Sequence, residues 1–275
     1  NLYNTQGAAN AGLIQLDAAI NSYKKVIAIN PDYAEAYNNM GISLKAQEKL
    51  EEAIEAFTKA LAIKPDYAEA SYNMGVTLSE QGKLEDAIAA YKKAISFKPD
   101  YAEAYNNMGN IFKEQVKFEE AVEAYNKALV IKPDYAEAYN NMGVTLSEQG
   151  KLEDAIAAYK KAISFKPDYA EAYNNMGNIF KEQVKFEEAV EAYNKALVIK
   201  PDYAEAYNNM GVTLQVQGKL EEAIEAYRNA LATKPDYSEA HLGLNNALKR
   251  LVPAWHLEMM NDSCRNKAYL DAIKL

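Results

Sequence analysis

The sequence predicts an all-α solenoid, a run of antiparallel helix pairs stacked one on the next. Three observations carry this. A 34-residue unit repeats in register through most of the 275 residues, and a fixed period in this range marks stacked supersecondary units in place of a closed globule. Within each unit apolar residues recur at helical spacing in two separate runs. Pro-Asp-Tyr closes every unit, and proline does not continue a helix.

Residues 136–169 show how one unit is built. Lys132-Pro133-Asp134-Tyr135 precedes it. Proline biases the residue before it to an extended conformation. Asp134 with Glu137 three residues on reads as a capping box, each side chain satisfying an orphan N–H. A helix is therefore expected from near Tyr135, with Tyr139, Met142, Gly143 and Leu146 on one stripe. Gln149-Gly150-Lys151 interrupts the pattern, and glycine there suits a left-handed helix C-terminus. A second helix follows, presenting Leu152, Ala155, Ile156, Tyr159, Ala162 and Ile163. Gly143, Ala155 and Ala162 are small enough for the two helices to approach closely.

With Ala136 as first position, Tyr139, Met142, Gly143, Leu146, Ala155, Tyr159, Ala162 and Pro167 fall on the W-x2-L-G-x2-Y…A-x3-F…P signature of the tetratricopeptide repeat (TPR). The chain resembles that family in seven units: 1–33, 34–67, 68–101, 102–135, 136–169, 170–203 and 204–237. The resemblance implies a right-handed superhelix whose first helices line a concave groove. Ser238, Glu239 and Ala240, then Leu242, Leu244, Ala247 and Leu248, restart the first-helix pattern. Residues 238–252 are thus expected to be a solvating capping helix, and 253–275 a further helix outside the repeat.

The composition narrows the function. The formal net charge of −9 argues against nucleic acid as the main partner and is compatible with a basic protein. One cysteine, Cys264, gives no internal disulfide framework and fits a reducing compartment, so a cytoplasmic location is expected. Two histidines and one cysteine leave no zinc site. No stretch is long and apolar enough to span a membrane.

The units differ among themselves. The first has Gln6 and Asn10 where the others are apolar. It reads as a wetter capping repeat or as an internal repeat cut from an upstream neighbour. Residues 68–135 and 136–203 are the same 68 residues, except that Ser71-Tyr72 stands for Tyr139-Asn140. That identity implies a recent two-repeat duplication or laboratory design. Gly82, Gly150 and Gly218 hold the mid-unit turn in one set of repeats, and Glu48, Val116 and Val184 in the other. A β-branched residue is poor at positive φ, so the turns at Val116 and Val184 are expected to differ from the glycine turns or to carry strain.

In TPR proteins the second, fifth, sixth and ninth positions of the first helix point into the groove. Carried over, the resemblance places there Asn39, Asn73, Asn107, Asn141, Asn175 and Asn209 at the sixth position, and Asn38, Asn106, Asn140, Asn174 and Asn208 at the fifth, where Tyr72 is the exception. Glu103, Glu137 and Glu171 stand at the second, with Glu35, Glu69, Glu205 and Glu239. An Asn amide both donates and accepts, so a ladder of them suits the backbone of an extended peptide, and the glutamates favour a cationic one. The pattern resembles the asparagine ladder in the TPR superhelix of O-linked N-acetylglucosamine transferases. The tyrosines at the fourth position, at the twenty-fourth and after each Pro-Asp read as structural.

The tail, 254–275, breaks the period. Its spacing His256-x2-Met259-x2-Asp262-x2-Arg265-x3-Tyr269 resembles the opening helix of the catalytic domain in protein arginine methyltransferases. That resemblance implies cofactor contacts from Met259, Asp262 and Arg265 to S-adenosylmethionine in a longer parent. No strand or glycine-rich loop for the nucleoside follows in this chain, which is expected to hold no cofactor and to be no enzyme as it stands. The reading is a protein-interaction scaffold, taking a peptide or a partner protein, with neither nucleic acid nor membrane. Two alternatives remain: the substrate-recruiting arm of an arginine methyltransferase, and a homo-oligomer assembled through solenoid ends or the C-terminal helix.

Overall fold

The structure, a computed structural model, describes residues 15–251. It divides into two compact units, Asn1–Gln149 and Gly150–Leu275. In the first lie α1 (Leu16–Ile29), α2 (Ala34–Ala46), α3 (Leu50–Ile63), α4 (Ala68–Glu80), α5 (Leu84–Phe97), α6 (Ala102–Glu114), α7 (Phe118–Ile131) and α8 (Ala136–Glu148). In the second lie α9 (Leu152–Phe165), α10 (Ala170–Glu182), α11 (Phe186–Ile199), α12 (Ala204–Val216), α13 (Leu220–Thr233) and α14 (Ser238–Leu251). All regular structure among the described residues is helical. Within each unit every helix packs on the next in sequence, the nearest-neighbour arrangement of a TPR solenoid.

Two short turns repeat. Inside a pair, the Lys117 N–H donates to the Phe112 carbonyl (2.8 Å) and the Val116 N–H to Lys113 (2.8 Å), a Schellman closure. Val116 takes φ +60°, Val184 +63° and Glu48 +62°, against +75° at Gly82 and Gly150 and +79° at Gly218. Gly82 makes the same two bonds through Lys83 and its own N–H. The valine turns thus keep the glycine geometry, in a left-handed region that a β-branched side chain disfavours. Between pairs, Lys132-Pro133-Asp134-Tyr135 forms a turn closed by the Tyr135 N–H on the Lys132 carbonyl (3.2 Å). Here the capping-box reading is corrected. Tyr135, not Asp134, occupies the N-cap position, and it makes no side-chain cap bond. Proline at the second turn position draws Asp134 into the turn itself, one residue ahead of the helix.

The core is assembled from alanines and one aromatic per pair. Phe57, Tyr91, Tyr125, Tyr159, Tyr193 and Tyr227 at the twenty-fourth position are almost completely buried. They fit because a glycine faces each one where both lie in the same unit: a Cβ at Gly109 would meet Tyr125 Cε1 at 2.6 Å. The fourth-position tyrosines are only half-buried. At the end of the second unit α14 lays Ala240 and Ala247 on Tyr227, Ala223 and Ala230. Leu242, placed on the covering stripe by the sequence, points outward instead and is 64% exposed.

Candidate functional site

The fifth- and sixth-position asparagines stand one helix turn inside α2, α6, α8, α10 and α12, with Asn73 alone on α4. Their two rows are not equivalent. Asn38, Asn106, Asn140, Asn174 and Asn208 are buried, whereas Asn39, Asn73, Asn107, Asn141, Asn175 and Asn209 are half-buried. Amide bonds link the rows from repeat to repeat. Asn73 Nδ2 donates to Asn38 Oδ1 (3.0 Å) and Asn141 Nδ2 to Asn106 Oδ1 (3.2 Å) in the first unit; Asn209 Nδ2 donates to Asn174 Oδ1 (3.1 Å) in the second. Where Tyr72 replaces the fifth-position asparagine, its hydroxyl accepts from Asn107 Nδ2 (3.1 Å). Asn38 and Asn106 also donate to the neighbouring Asn39 and Asn107. The row stops at Asn208, whose buried Oδ1 meets no partner, because α14 has Gly243 at the sixth position. The fifth-position amides therefore hold the sixth-position amides in place. Each such link uses one N–H of an amide that has two N–H groups and two lone pairs.

The second-position glutamates border the tyrosines that follow each Pro-Asp. Glu137 is exposed, and Glu103 and Glu171 are half-buried. Lys132 stands 3.8 Å from Glu103 and Lys200 3.7 Å from Glu171. Each Lys-Pro-Asp-Tyr lysine also lies over the ring of its own tyrosine, Lys98 at 4.4 Å from the Tyr101 centroid and Lys132 at 4.6 Å from that of Tyr135, a cation–π contact. Burial first, and then the carboxylates of Glu205 and Glu171, push the Tyr203 hydroxyl up to about 12. Burial and then Glu69 and Glu35 do the same to Tyr67. The glutamates thus place negative charge beside the hydroxyls of Tyr67 and Tyr203.

Sequence reasoning missed two features. Gln115 Nε2 donates to Glu85 (3.2 Å), Gln149 to Glu119 (3.0 Å), Gln183 to Glu153 (3.2 Å) and Gln217 to Glu187 (2.8 Å), each a link thirty residues back to the preceding second helix. Thr77, Thr145 and Thr213 are fully buried, their hydroxyls donating to the carbonyls of Asn73, Asn141 and Asn209 four residues earlier. The regular recurrence of both residue types was the available signal. Gln6, Asn10, Met259, Asp262, Arg265 and the rest of the tail lie outside the described residues. No group of three or more His, Cys, Asp or Glu residues comes together to hold a metal among the described residues. No described helix is long and apolar enough to cross a membrane.

Helix pairs in register with a glycine–aromatic contact and a closing Pro-Asp turn define a helical-repeat scaffold. A family model described as TPR repeat matches residues 15–47, 43–82, 75–116, 109–150, 145–184 and 177–218, and one described as tetratricopeptide repeat matches 204–237. The chain belongs to the TPR family, whose repeats serve as scaffolds for protein–protein interaction. Among solved structures it is similar to YrrB, described as a TPR protein with an unusual peptide-binding site, at 27% identity over 68% of this chain and 96% of YrrB, TM-score 0.54. MamA is similar at 28% identity over 60% of this chain and 96% of its own, TM-score 0.55. A chain of the APC/C hetero-tetramer Cut9–Hcn1 shares the fold at 18% identity and TM-score 0.68. The match covers 84% of this chain but only 48% of that one. No curated protein matches the chain.

Proposed function

We propose that the asparagine face of the first helices binds the backbone of an extended, basic peptide from a partner protein. The observation that carries this reading is the row of half-buried sixth-position amides held in a set orientation by the buried row behind it. Groups ordered before binding lose less freedom on binding. Packed helices lie about 8–10 Å apart, and an extended chain advances about 3.3–3.6 Å per residue. Successive sixth-position amides would then meet a peptide every few residues. The glutamates and the net charge of −9 favour lysine and arginine in that peptide, through steering that weakens with salt.

A fluorescein-labelled dodecapeptide of arginine and glycine serves as the probe, read by anisotropy. A scrambled peptide of the same composition should bind equally well, and one N-methylated along its backbone should not. Asn141→Ala should weaken binding roughly 2- to 10-fold, the worth of a net hydrogen bond of about 0.5–1.5 kcal/mol, with the helical circular dichroism unchanged. Binding of the N-methylated peptide at full strength would overturn the reading. The methyltransferase-arm alternative stands on Met259, Asp262 and Arg265 alone. Its test is the gene sequence past Leu275, where a hydrophobic strand running into a glycine-rich acidic turn would support it.

A further inference from the structure

Ser71-Tyr72, which stands where the duplicate segment has Tyr139-Asn140, places Ser71 in the wall of a cavity. At the fourth position the other repeats from residue 34 on carry Tyr37, Tyr105, Tyr139, Tyr173 and Tyr207; residues 68–101 carry Ser71. Around Tyr207, between α11, α12 and α13, the walls of Val190, Met210, Leu214 and Ala226 leave a cleft of about 460 Å³. Around Ser71, between α3, α4 and α5, the corresponding Ile54, Met74, Leu78 and Ala90 surround about 740 Å³. Ala62 in place of Val198 and Ala89 in place of Glu225 widen the same space.

The displaced ring does not refill it. Tyr72 stands one residue on, about 100° round the helix at 3.6 residues per turn. There it stacks on Tyr101 with ring centroids 4.7 Å apart and leans on Tyr91 at 5.8 Å. Ser71 itself is 1% exposed, and its hydroxyl meets no hydrogen-bond partner among the described residues. Other helical hydroxyls here, such as those of Ser43 and Thr58, bond the carbonyl four residues back. An apolar cleft of several hundred cubic ångströms with one unpaired polar group in its wall has the composition of a small-molecule site.

We propose that the Ser71 cavity binds a small single-ring phenol. Its ring takes the volume that a tyrosine ring fills in the other repeats, and its hydroxyl pairs with Ser71 Oγ. The adjoining repeats 34–67 and 102–135 keep their own tyrosines, so the missing fourth-position ring is particular to this repeat. The charged residues lining the cavity are Lys83, Lys93 and Asp86, all exposed. With two cations to one anion, this rim favours an anionic tail on the phenol over a cationic one. The site shares no lining residue with the asparagine rows, so it stands or falls independently of peptide binding.

The test is methyl NMR of the whole chain titrated with p-cresol, the tyrosine side-chain analogue. Saturable shifts are expected at the Ile54 and Met74 methyls. Ser71→Tyr, which restores the residue found in the other repeats, should abolish them while the spectrum stays folded. Ser71→Ala, which keeps the space and removes the hydroxyl, should weaken p-cresol several-fold, to the level of toluene. Between two tailed ligands, 4-hydroxyphenylacetate should bind more tightly than tyramine, by a margin that shrinks with salt. Absence of saturable binding, or undiminished binding to Ser71→Tyr, overturns the site. Equal affinity of Ser71→Ala overturns the role of the hydroxyl, and a preference for tyramine overturns that of the rim.

Discussion

Val116 and Val184 hold left-handed backbone that a β-branched side chain disfavours, at φ +60° and +63°. Each is 68% exposed, so neither recovers the strain through packing. The left-handed conformation costs a non-glycine residue about 1–2 kcal/mol, and glycine gives back about 0.5–1 kcal/mol through its freer unfolded chain. Val116→Gly should therefore stabilise the first unit by about 0.5–1 kcal/mol, seen as a higher urea midpoint; an unchanged or lower midpoint would mean the turn carries no strain. The reverse holds at Gly109. Its missing Cβ would lie 2.6 Å from a Tyr125 ring that is fully buried and hydrogen-bonded to Asn110 Oδ1 at 2.8 Å. Gly109→Ala should cost about 1–3 kcal/mol, as overpacking does, and the same urea measurement reads it. A loss within experimental error would show that the ring can shift.

At the scale of the element, the local chemistry was legible and the contacts between repeats were not. Periodicity located both helices of each pair, and glycine in half of the mid-unit turns marked the left-handed position for the others. Asp134 misled because Asp after Pro satisfies a turn as readily as a cap, and only the chain geometry decides between them. The burial of Asn106 and Asn174 was hidden for a different reason. The partner that buries each one lies thirty-five residues on, beyond any helical-wheel pattern, and the same is true of the glutamine links at thirty. Such contacts bind each repeat only to the repeats beside it, which makes α14 separable. Ending the chain after Tyr237 removes Ala240 and Ala247 from Tyr227 and Ala223. Amide exchange should then accelerate in α13 while α3 to α6 keep their protection, as nearest-neighbour stability requires. Uniform acceleration throughout the chain would contradict that.

For the molecule as a whole, repetition turns one tyrosine environment into a collective response to alkali. Burial raises the hydroxyls of Tyr67, Tyr203 and Tyr227 to about 12 from an ordinary 10.0. It raises Tyr91, Tyr125 and Tyr193 as well. A group whose folded pKa lies above its unfolded value gives stability that is complete below the unfolded pKa. That stability is lost as pH rises through the folded one. The unfolded chain begins to release phenolic protons near pH 10 while the folded chain retains them, so each buried tyrosine pulls the equilibrium toward unfolding over pH 10 to 12. The duplication places the same group in repeat after repeat, and the slopes add. Phenolate absorbance and helical circular dichroism should accordingly change together, in a transition steeper than a single tyrosine could produce. Tyr125→Phe should make that transition shallower, since it deletes one of the protons. It also removes the bond to Asn110 Oδ1, so the readout is the steepness and not the midpoint. Phenolate absorbance that rises near pH 10 while the helices remain intact would show that these hydroxyls reach solvent without unfolding, and the coupling between tyrosine burial and the fold would fail.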